Sequence, residues 1–152
     1  MLFKPNDGRC MNNKKALISA FVEIEIPFHD CDPMNVVWHG SYARYLEVAR
    51  CELLRKFNYD YLEMSDSGYM WPIVDMRLKY ISSATFRQRI RVDAHLKEYE
   101  SCLKIDYVIT DVDTGAKLTK ASTTQVAVNI ESKEMQYASP QVLIDLVQGV
   151  LG

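Results

Sequence analysis

The sequence is short of the features that mark several classes of protein. Its four cysteines (Cys10, Cys31, Cys51 and Cys102) include no C-x-x-C pair, so we expect no disulfide framework and predict a reducing, cytoplasmic location. No apolar run approaches the roughly 20 residues that span a bilayer, and the N-terminal residues lack the apolar segment of a secretory signal. The net charge of −2 favours neither sign, so we expect neither nucleic acid nor a membrane as partner.

The length and composition predict one domain with a substantial core. The chain has 152 residues, of which 48% are hydrophobic, which is enough for one domain and too little for two. Residues 1–17 are polar and carry no pattern, so we predict a flexible leader followed by a single domain over residues 18–152.

A strand and a long helix are predicted in the first part of this domain. Apolar and polar residues alternate from Val22 to Phe28, which indicates a half-buried strand, and Pro27 places its end or a sheet edge nearby. A helix is expected over about residues 39–57, because apolar residues with helical spacing follow, with the tyrosines expected in the core: Tyr42, Tyr45, Leu46, Ala49, Leu53 and Phe57.

The rest of the chain alternates with the period of a β-strand. Three or four long strands separated by short turns are predicted after residue 71, and Ser139-Pro140 reads as an N-cap and first position of a final helix. The order of strand, long helix, several strands and helix predicts an α+β fold, in which one antiparallel sheet wraps one long helix.

The stretch "FHDCDPMNVVWHGSY", residues 28–42, lies between the first strand and the helix and admits four interpretations. A carboxylate, Asp32 or Asp30, beside the free N–H groups of the helix start suits hydrolysis of an acyl group. The same residues with His29 and His39 are candidate metal ligands, although their spacing matches no common zinc signature. Cys31 with a neighbouring histidine is a candidate nucleophile, and a plain turn that caps the helix is the fourth interpretation.

The segment "FHDCDPMNVVWHGSYARYLEVAR" closely resembles the signature of the hotdog-fold acyl-CoA thioesterases of the 4-hydroxybenzoyl-CoA thioesterase type. The order of elements agrees with this family from Val22 to about Ala138. The matching residues form a D-x-D-P segment, an aromatic-histidine pair and a tyrosine-rich helix with a late arginine: Asp30, Asp32, Pro33, Val36, Val37, Trp38, His39, Tyr42, Tyr45 and Arg50.

The resemblance implies roles for particular residues. Asp32 is implied as the catalytic carboxylate, acting as nucleophile or general base, and the backbone N–H of His39 as the group that polarises the thioester carbonyl. The His39 side chain is a possible assistant, and Asp30 is implied as structural. Trp38 is a candidate pocket residue, together with Met34, Met70 and Trp71.

The resemblance also implies the reaction and the assembly. We expect hydrolysis of an acyl-CoA or acyl-carrier-protein thioester, with coenzyme A only as part of the substrate and no metal or redox cofactor. A homodimer is implied as the minimum unit, which in this family often pairs into a homotetramer. The alternatives are a non-catalytic acyl-CoA-binding hotdog module and a hotdog dehydratase, in which a histidine such as His39 works with a carboxylate.

The chain departs from the family pattern at two places. Met34-Asn35 stands where relatives commonly carry glycine, and Arg87-Gln88 stands where they often carry acidic residues. The second departure adds to a basic segment without acidic residues, which suits the phosphates of coenzyme A or an acidic carrier protein. A solvated strand face is the alternative explanation. The basic residues are Arg77, Lys79, Arg87, Arg89 and Arg91, of which the first four are the predicted substrate-binding residues.

Overall fold

A computed structural model describes residues 15–152, in which one antiparallel sheet curves around a helix. The sheet has five strands in the order β1-β4-β5-β6-β3, and a separate two-stranded pair joins β2 to β7. The predicted α+β class and the sheet around a helix are therefore confirmed. The strands are β1 Ile18–Glu25, β2 Tyr69–Met70, β3 Ile73–Tyr80, β4 Arg89–Glu98, β5 Leu103–Asp111, β6 Lys117–Gln125 and β7 Val128–Asn129.

The first strand begins earlier and ends earlier than the alternation predicts. Its inward positions include Ile18 and Ala20, which are buried, and it pairs with β4 at one edge of the sheet. Phe28 is wrongly predicted to face the core, because the strand ends at Glu25 and a 3-10 turn over Phe28–Asp30 leaves the Phe28 side chain 72% exposed.

The predicted long helix consists of a 3-10 turn, His39–Ser41, followed by α1, Tyr42–Arg55. The buried face of α1 packs against β1 and β4. Asn58 adopts a left-handed conformation with φ 56°, which asparagine tolerates and which stops the helix where the sequence predicts.

Two further helices complete the described part of the chain. Asp60 and Glu63 form a capping box around α2, Tyr61–Asp66. The last helix, α3, spans Gln141–Leu151 and begins after Pro140. Ser139 is wrongly predicted as its cap, since its buried hydroxyl has no hydrogen-bond partner among the residues described. No helix within residues 15–152 has the length and apolarity needed to cross a membrane.

The two halves of the sheet differ in how well they are covered. On β4 and β5 every second residue is buried beneath α1 and the rest of the core. On β3, the edge strand opposite β1, no residue is fully buried, and Val74, Met76 and Tyr80 stay exposed. The helix lies over the β1–β4 half, so the β3 half carries apolar residues that the described chain leaves open.

Candidate active site

The residues between β1 and α1 fold into a small hairpin that presents Asp32. Cys31 bridges to Val37 in antiparallel fashion, and the Asp32 N–H donates to the Val36 carbonyl at 2.8 Å. The turn closes through Asn35, whose φ of 65° lies in the left-handed region that glycine favours and asparagine tolerates. The Val37 N–H donates to the Ala84 carbonyl at 2.8 Å, so the hairpin is anchored to the β3–β4 loop.

One oxygen of the Asp32 carboxylate is held by hydrogen bonds within the turn, and the other oxygen is free to contact a ligand. Oδ1 accepts the N–H groups of Met34 at 2.9 Å and Val36 at 3.4 Å, an Asx-type turn that fixes the side chain. Within residues 15–152 no hydrogen bond to Oδ2 is found. The half-buried Asp32 opens into a cleft of about 190 Å³, lined by Asp32, Val37, His39, Tyr42, Tyr80 and Ser83.

Asp30 lies two residues earlier and forms the frame of the loop. Its buried carboxylate accepts hydrogen bonds from the Arg44 guanidinium and, at 2.7 Å, from the Tyr45 hydroxyl. Burial and this hydrogen bond to a carboxylate raise the pKa of Tyr45 far above its usual range. The Asp30 carbonyl also accepts from the Trp38 N–H at 2.9 Å and the Ser41 hydroxyl at 3.2 Å. Asp30 therefore ties the hairpin to the start of the helix.

The helix start offers free N–H groups beside Asp32. Neither His39 nor Gly40 donates its backbone N–H to an acceptor among the described residues, as expected for the first residues of a helix. These groups and the positive end of the helix dipole favour a negatively charged oxygen at this position. The His39 side chain is exposed and lines the cleft, with its ring centroid 5.1 Å from that of Trp38.

Gly40 is a site residue that the sequence reasoning missed. A Cβ atom at this position would lie 2.2 Å from a ring carbon of Trp38, so only glycine lets the indole lie against the helix start. The signal in the sequence was the small residue within Trp-His-Gly-Ser, next to a half-exposed tryptophan. Trp38 flanks the cleft rather than lining it.

The cleft also contains residues that no motif indicated. Tyr42 was expected only in the core; it is buried and lines the cleft, where its hydroxyl accepts the Ala84 N–H at 3.4 Å. Burial is the main cause that raises the pKa of Tyr42. Tyr80 and Ser83 reach the cleft from the end of β3 and the following loop, and their sequence context gave no sign of this.

The other predicted pocket residues lie outside this cleft. Met34 is 79% exposed at the tip of the hairpin, and Met70 lies in β2. Trp71 is buried and donates its indole N–H to the Tyr59 hydroxyl at 3.1 Å. These three residues therefore form no part of the pocket around Asp32 in a single chain.

The basic segment does not form one patch in the single chain. Arg77 and Lys79 lie on β3, whereas Arg89 lies on β4, and β5 and β6 separate the two strands, a distance of about 14 Å at the usual strand spacing. Arg77 pairs with Asp75 at 3.2 Å and Arg89 with Glu23 at 3.0 Å. In the single chain the predicted patch is therefore divided between strands near opposite edges of the sheet, and the substrate-binding roles of these residues stay predictions.

The metal-site and cysteine-nucleophile interpretations of the hairpin gain no support from the geometry. No group of three or more histidine, cysteine or acidic side chains able to hold a metal occurs among residues 15–152. The Cys31 thiol donates weakly to the Pro27 carbonyl at 3.8 Å, and burial together with Asp30 and Asp32 raises its pKa. A raised pKa disfavours the thiolate that a nucleophile needs.

Comparison with known proteins identifies the family. The family model described as the thioesterase-like superfamily matches residues 26–145. The chain belongs to the thioesterase-like superfamily. This match spans the hairpin, α1 and strands β2 to β7, and it confirms both the resemblance inferred from the sequence and the class of enzyme, a thioester hydrolase.

Individual relatives agree with this assignment. YneP of Bacillus subtilis, a candidate acyl-CoA thioesterase, is 26% identical over 117 residues, which cover 76% of this chain and 84% of YneP. The DHNA-CoA thioesterase of Staphylococcus aureus is 26% identical with a TM-score of 0.72, over 79% of this chain and 80% of that one. A variant of 4-hydroxybenzoyl-CoA thioesterase bound to 4-hydroxybenzoyl-CoA shares the fold, with 19% identity and a TM-score of 0.73 over 85% and 98% of the chains. The hotdog fold is thereby confirmed.

Proposed function

We propose that this thioesterase hydrolyses acyl-CoA thioesters to a free acid and coenzyme A. One observation on the described residues carries the proposal: Asp32, with a free carboxylate oxygen, and His39, with an unpaired backbone N–H, line the same cleft. Names of relatives that include acyl-CoA and DHNA-CoA thioesterases support the choice of thiol.

The chemistry follows from these groups. The thioester oxygen binds at the N–H groups of His39 and Gly40, which stabilise the negative charge that develops on it. Asp32 then acts in one of two ways: it takes a proton from a water that attacks the carbonyl carbon, or its oxygen attacks the carbon directly. In both routes the carbon–sulfur bond breaks, and the thiolate of coenzyme A leaves and is protonated. Direct attack leaves a mixed anhydride that water hydrolyses. Neither route needs a metal or redox cofactor.

Labelled water reveals the nucleophilic route when water opens the anhydride at the aspartyl carbon, whereas attack at the acyl carbon labels the acid just as the base route does. If Asp32 acts as a base, a single turnover in H₂¹⁸O places the label only in the acid product. If Asp32 is the nucleophile and water attacks the anhydride at the aspartyl carbon, the label enters Asp32 and is found in its peptide by mass spectrometry.

We also propose that the working unit contains two copies of the chain, which assemble into a homodimer or a homotetramer. The cleft of about 190 Å³ is smaller than the roughly 300–1,000 Å³ of ligand pockets, so one chain supplies only part of a site. The open edge of β3, with Val74 and Met76 exposed, offers unpaired backbone groups and apolar surface to a second copy.

The decisive experiment measures thiol release from a panel of acyl-CoA and acyl-carrier-protein thioesters, for the wild type and Asp32→Asn. The amide preserves the Oδ1 hydrogen bonds but cannot take a proton, so we expect a loss of about 10³-fold in kcat. Asp113→Asn, an exposed aspartate in the β5–β6 turn, is the matched control and should retain full activity. A chelator is expected to have no effect.

Other outcomes would indicate the alternatives. Binding of acyl-CoA without thiol release from any thioester would indicate a non-catalytic binding module. Release or addition of water on a hydroxyacyl-CoA and enoyl-CoA pair, without thiol release, would indicate a dehydratase. Full activity of Asp32→Asn would refute the mechanism while leaving the reaction intact.

A further inference from the structure

An exposed aromatic pair lies beside the candidate active site and plays no part in the mechanism above. The ring of Phe28, 72% exposed, meets that of Phe86, 38% exposed, edge to face with centroids 5.6 Å apart. The Arg87 guanidinium carbon lies 5.3 Å from the centroid of the Phe86 ring. Two exposed phenylalanines and an exposed arginine in one place form a small cationic and aromatic surface, which we call the Phe-Arg platform.

The Phe-Arg platform is built on the same backbone that positions Asp32. The Arg87 N–H donates to the Ile26 carbonyl and the Ile26 N–H to the Gln88 carbonyl, both at 2.9 Å. Thr85, two residues before Arg87, forms an antiparallel bridge with Val36 of the hairpin. The platform therefore lies on loops whose backbone is bonded to the hairpin that carries Asp32.

Arg87 occupies a conformation that arginine rarely adopts. Its φ is 71°, in the left-handed region that favours glycine and strains other residues. Local strain of this kind is found disproportionately at functional sites. A turn alone would be served better by glycine, so the guanidinium is the reason to look for a ligand.

Arg87 is also the arginine of the basic segment whose charge is unneutralised. Arg77, Arg89 and Arg91 each lie within 3.2 Å of an acidic side chain. Among the described residues no acidic side chain pairs with Arg87, whose recorded side-chain contact is the Phe86 ring. A phosphate at this position would therefore meet a guanidinium that is free to bind it.

We propose that Phe28, Phe86 and Arg87 bind the phosphorylated adenosine end of coenzyme A, an inference that rests on the proposed function. An aromatic face stacks with a purine base, and the guanidinium fork matches phosphate oxygens. A carrier protein presents the acyl group on the same phosphopantetheine arm but without the adenosine. The platform therefore selects coenzyme A over a carrier protein as the thiol carrier.

The test compares one acyl group on two thiols, coenzyme A and N-acetylcysteamine, which lacks the nucleotide. For Phe86→Ala and Arg87→Gly we expect KM for the acyl-CoA to rise about tenfold with kcat unchanged. Each substitution removes about one contact with the nucleotide, and the loss of one such contact weakens binding by roughly this factor. The N-acetylcysteamine thioester should show no change in KM or kcat. Glycine suits the φ of residue 87, so Arg87→Gly keeps the fold while removing the charge.

The chain contains a matched control for these variants. Phe21 is a half-exposed phenylalanine on β1 with Arg91 over its ring at 3.7 Å, on the outer face of the sheet. Phe21→Ala removes an equivalent ring and should leave KM for both thioesters unchanged. Arg87→Lys should recover part of the affinity, because the charge returns without the planar fork.

Several results would overturn the inference. Equal changes in KM for both thioesters would mean that the substitutions disturb the whole active site and not the binding of the nucleotide. No change in KM for either thioester would mean that the platform does not bind the substrate. A defect seen only with a carrier-protein thioester would assign the platform to a protein partner. If no thioester is hydrolysed, the proposed function fails, and calorimetric titration of coenzyme A into wild type and Arg87→Gly still tests the platform: equal affinities would refute it.

Discussion

Asp30 and Asp32 stand two residues apart in one loop and meet opposite surroundings. Asp30 is 3% exposed and its carboxylate is bound by Arg44 and Tyr45, whereas Asp32 is half-buried, uses one oxygen for the turn and leaves the other toward the cleft. A carboxylate whose hydrogen bonds are satisfied stabilises structure, and one with a free oxygen beside unpaired amides is available for chemistry. The contrast agrees with a structural role for Asp30 and is the reason that we propose the catalytic role for Asp32.

Removing each side chain should affect stability very differently. We expect Asp30→Ala to lower the free energy of unfolding by about 3 kcal/mol, because it removes the buried carboxylate that Arg44 contacts and leaves the Tyr45 hydroxyl without its acceptor. Asp32→Ala should cost less than about 1 kcal/mol, since the N–H groups it releases lie near water. Urea unfolding of both variants measures the difference, and equal losses would contradict the division of roles.

The hydroxyl of Tyr45 tests whether the frame around Asp30 also positions the reacting groups. Tyr45→Phe removes the 2.7 Å hydrogen bond and should cost about 2 kcal/mol of stability and lower kcat about threefold without changing KM. Tyr107→Phe is the matched control, since this buried tyrosine on β5 loses a 2.8 Å hydrogen bond to Thr123 on β6, with no bond to the hairpin. It should lose about 1 kcal/mol of stability and no activity. A fall in kcat of the same size in both variants would show that a general loss of stability lowers kcat, and not a loss of positioning of the reacting groups.

Asp106 on β5 is a third kind of carboxylate, half-buried, with Oδ1 enclosed and unpartnered within the described residues. Burial raises the pKa of its carboxyl, although Lys97, Lys104 and His95 act in the opposite direction. The folded state then binds the proton more tightly, so stability falls as the pH rises through the folded pKa.

Asp106→Asn should therefore raise the free energy of unfolding at pH 7, by less than about 1 kcal/mol because the group is half exposed. The gain should shrink as the pH approaches about 4, the usual pKa of aspartate, since the wild-type carboxyl is then becoming protonated in both states. Urea unfolding midpoints of the wild type and Asp106→Asn at pH 7 and pH 4.5 measure this gain in stability. A gain that does not depend on pH would mean that the charge of Asp106 is not its cause.

The sequence predicts best where local pattern decides the outcome. Alternation predicted the strands, and helical spacing predicted α1 to within a few residues, because both report which face is buried. Asp30 was inferred to be structural from the family resemblance, and its bonds to Arg44 and Tyr45 agree with that role. The catalytic role of Asp32 stays a prediction.

The features that the sequence did not predict depend on contacts between segments that are distant along the chain. The basic segment seemed continuous, yet strand order places its members near opposite edges of the sheet, which no local pattern encodes. Tyr80 and Ser83 enter the cleft because the β3–β4 loop pairs with the hairpin about 48 residues earlier, an arrangement fixed by Val36 and Thr85. The exposure of Phe28 follows from the strand ending three residues before it.

The two tryptophans of the chain give it a pair of natural optical reporters. Trp38 is 52% exposed, lies against Gly40 and borders the cleft, so its fluorescence should be red-shifted and sensitive to an occupant of that cleft. Trp71 is 6% exposed and hydrogen-bonded to Tyr59, so its emission should be blue-shifted and should change only when the core opens. Ligand binding and unfolding can therefore be followed as separate spectral changes in an unlabelled protein.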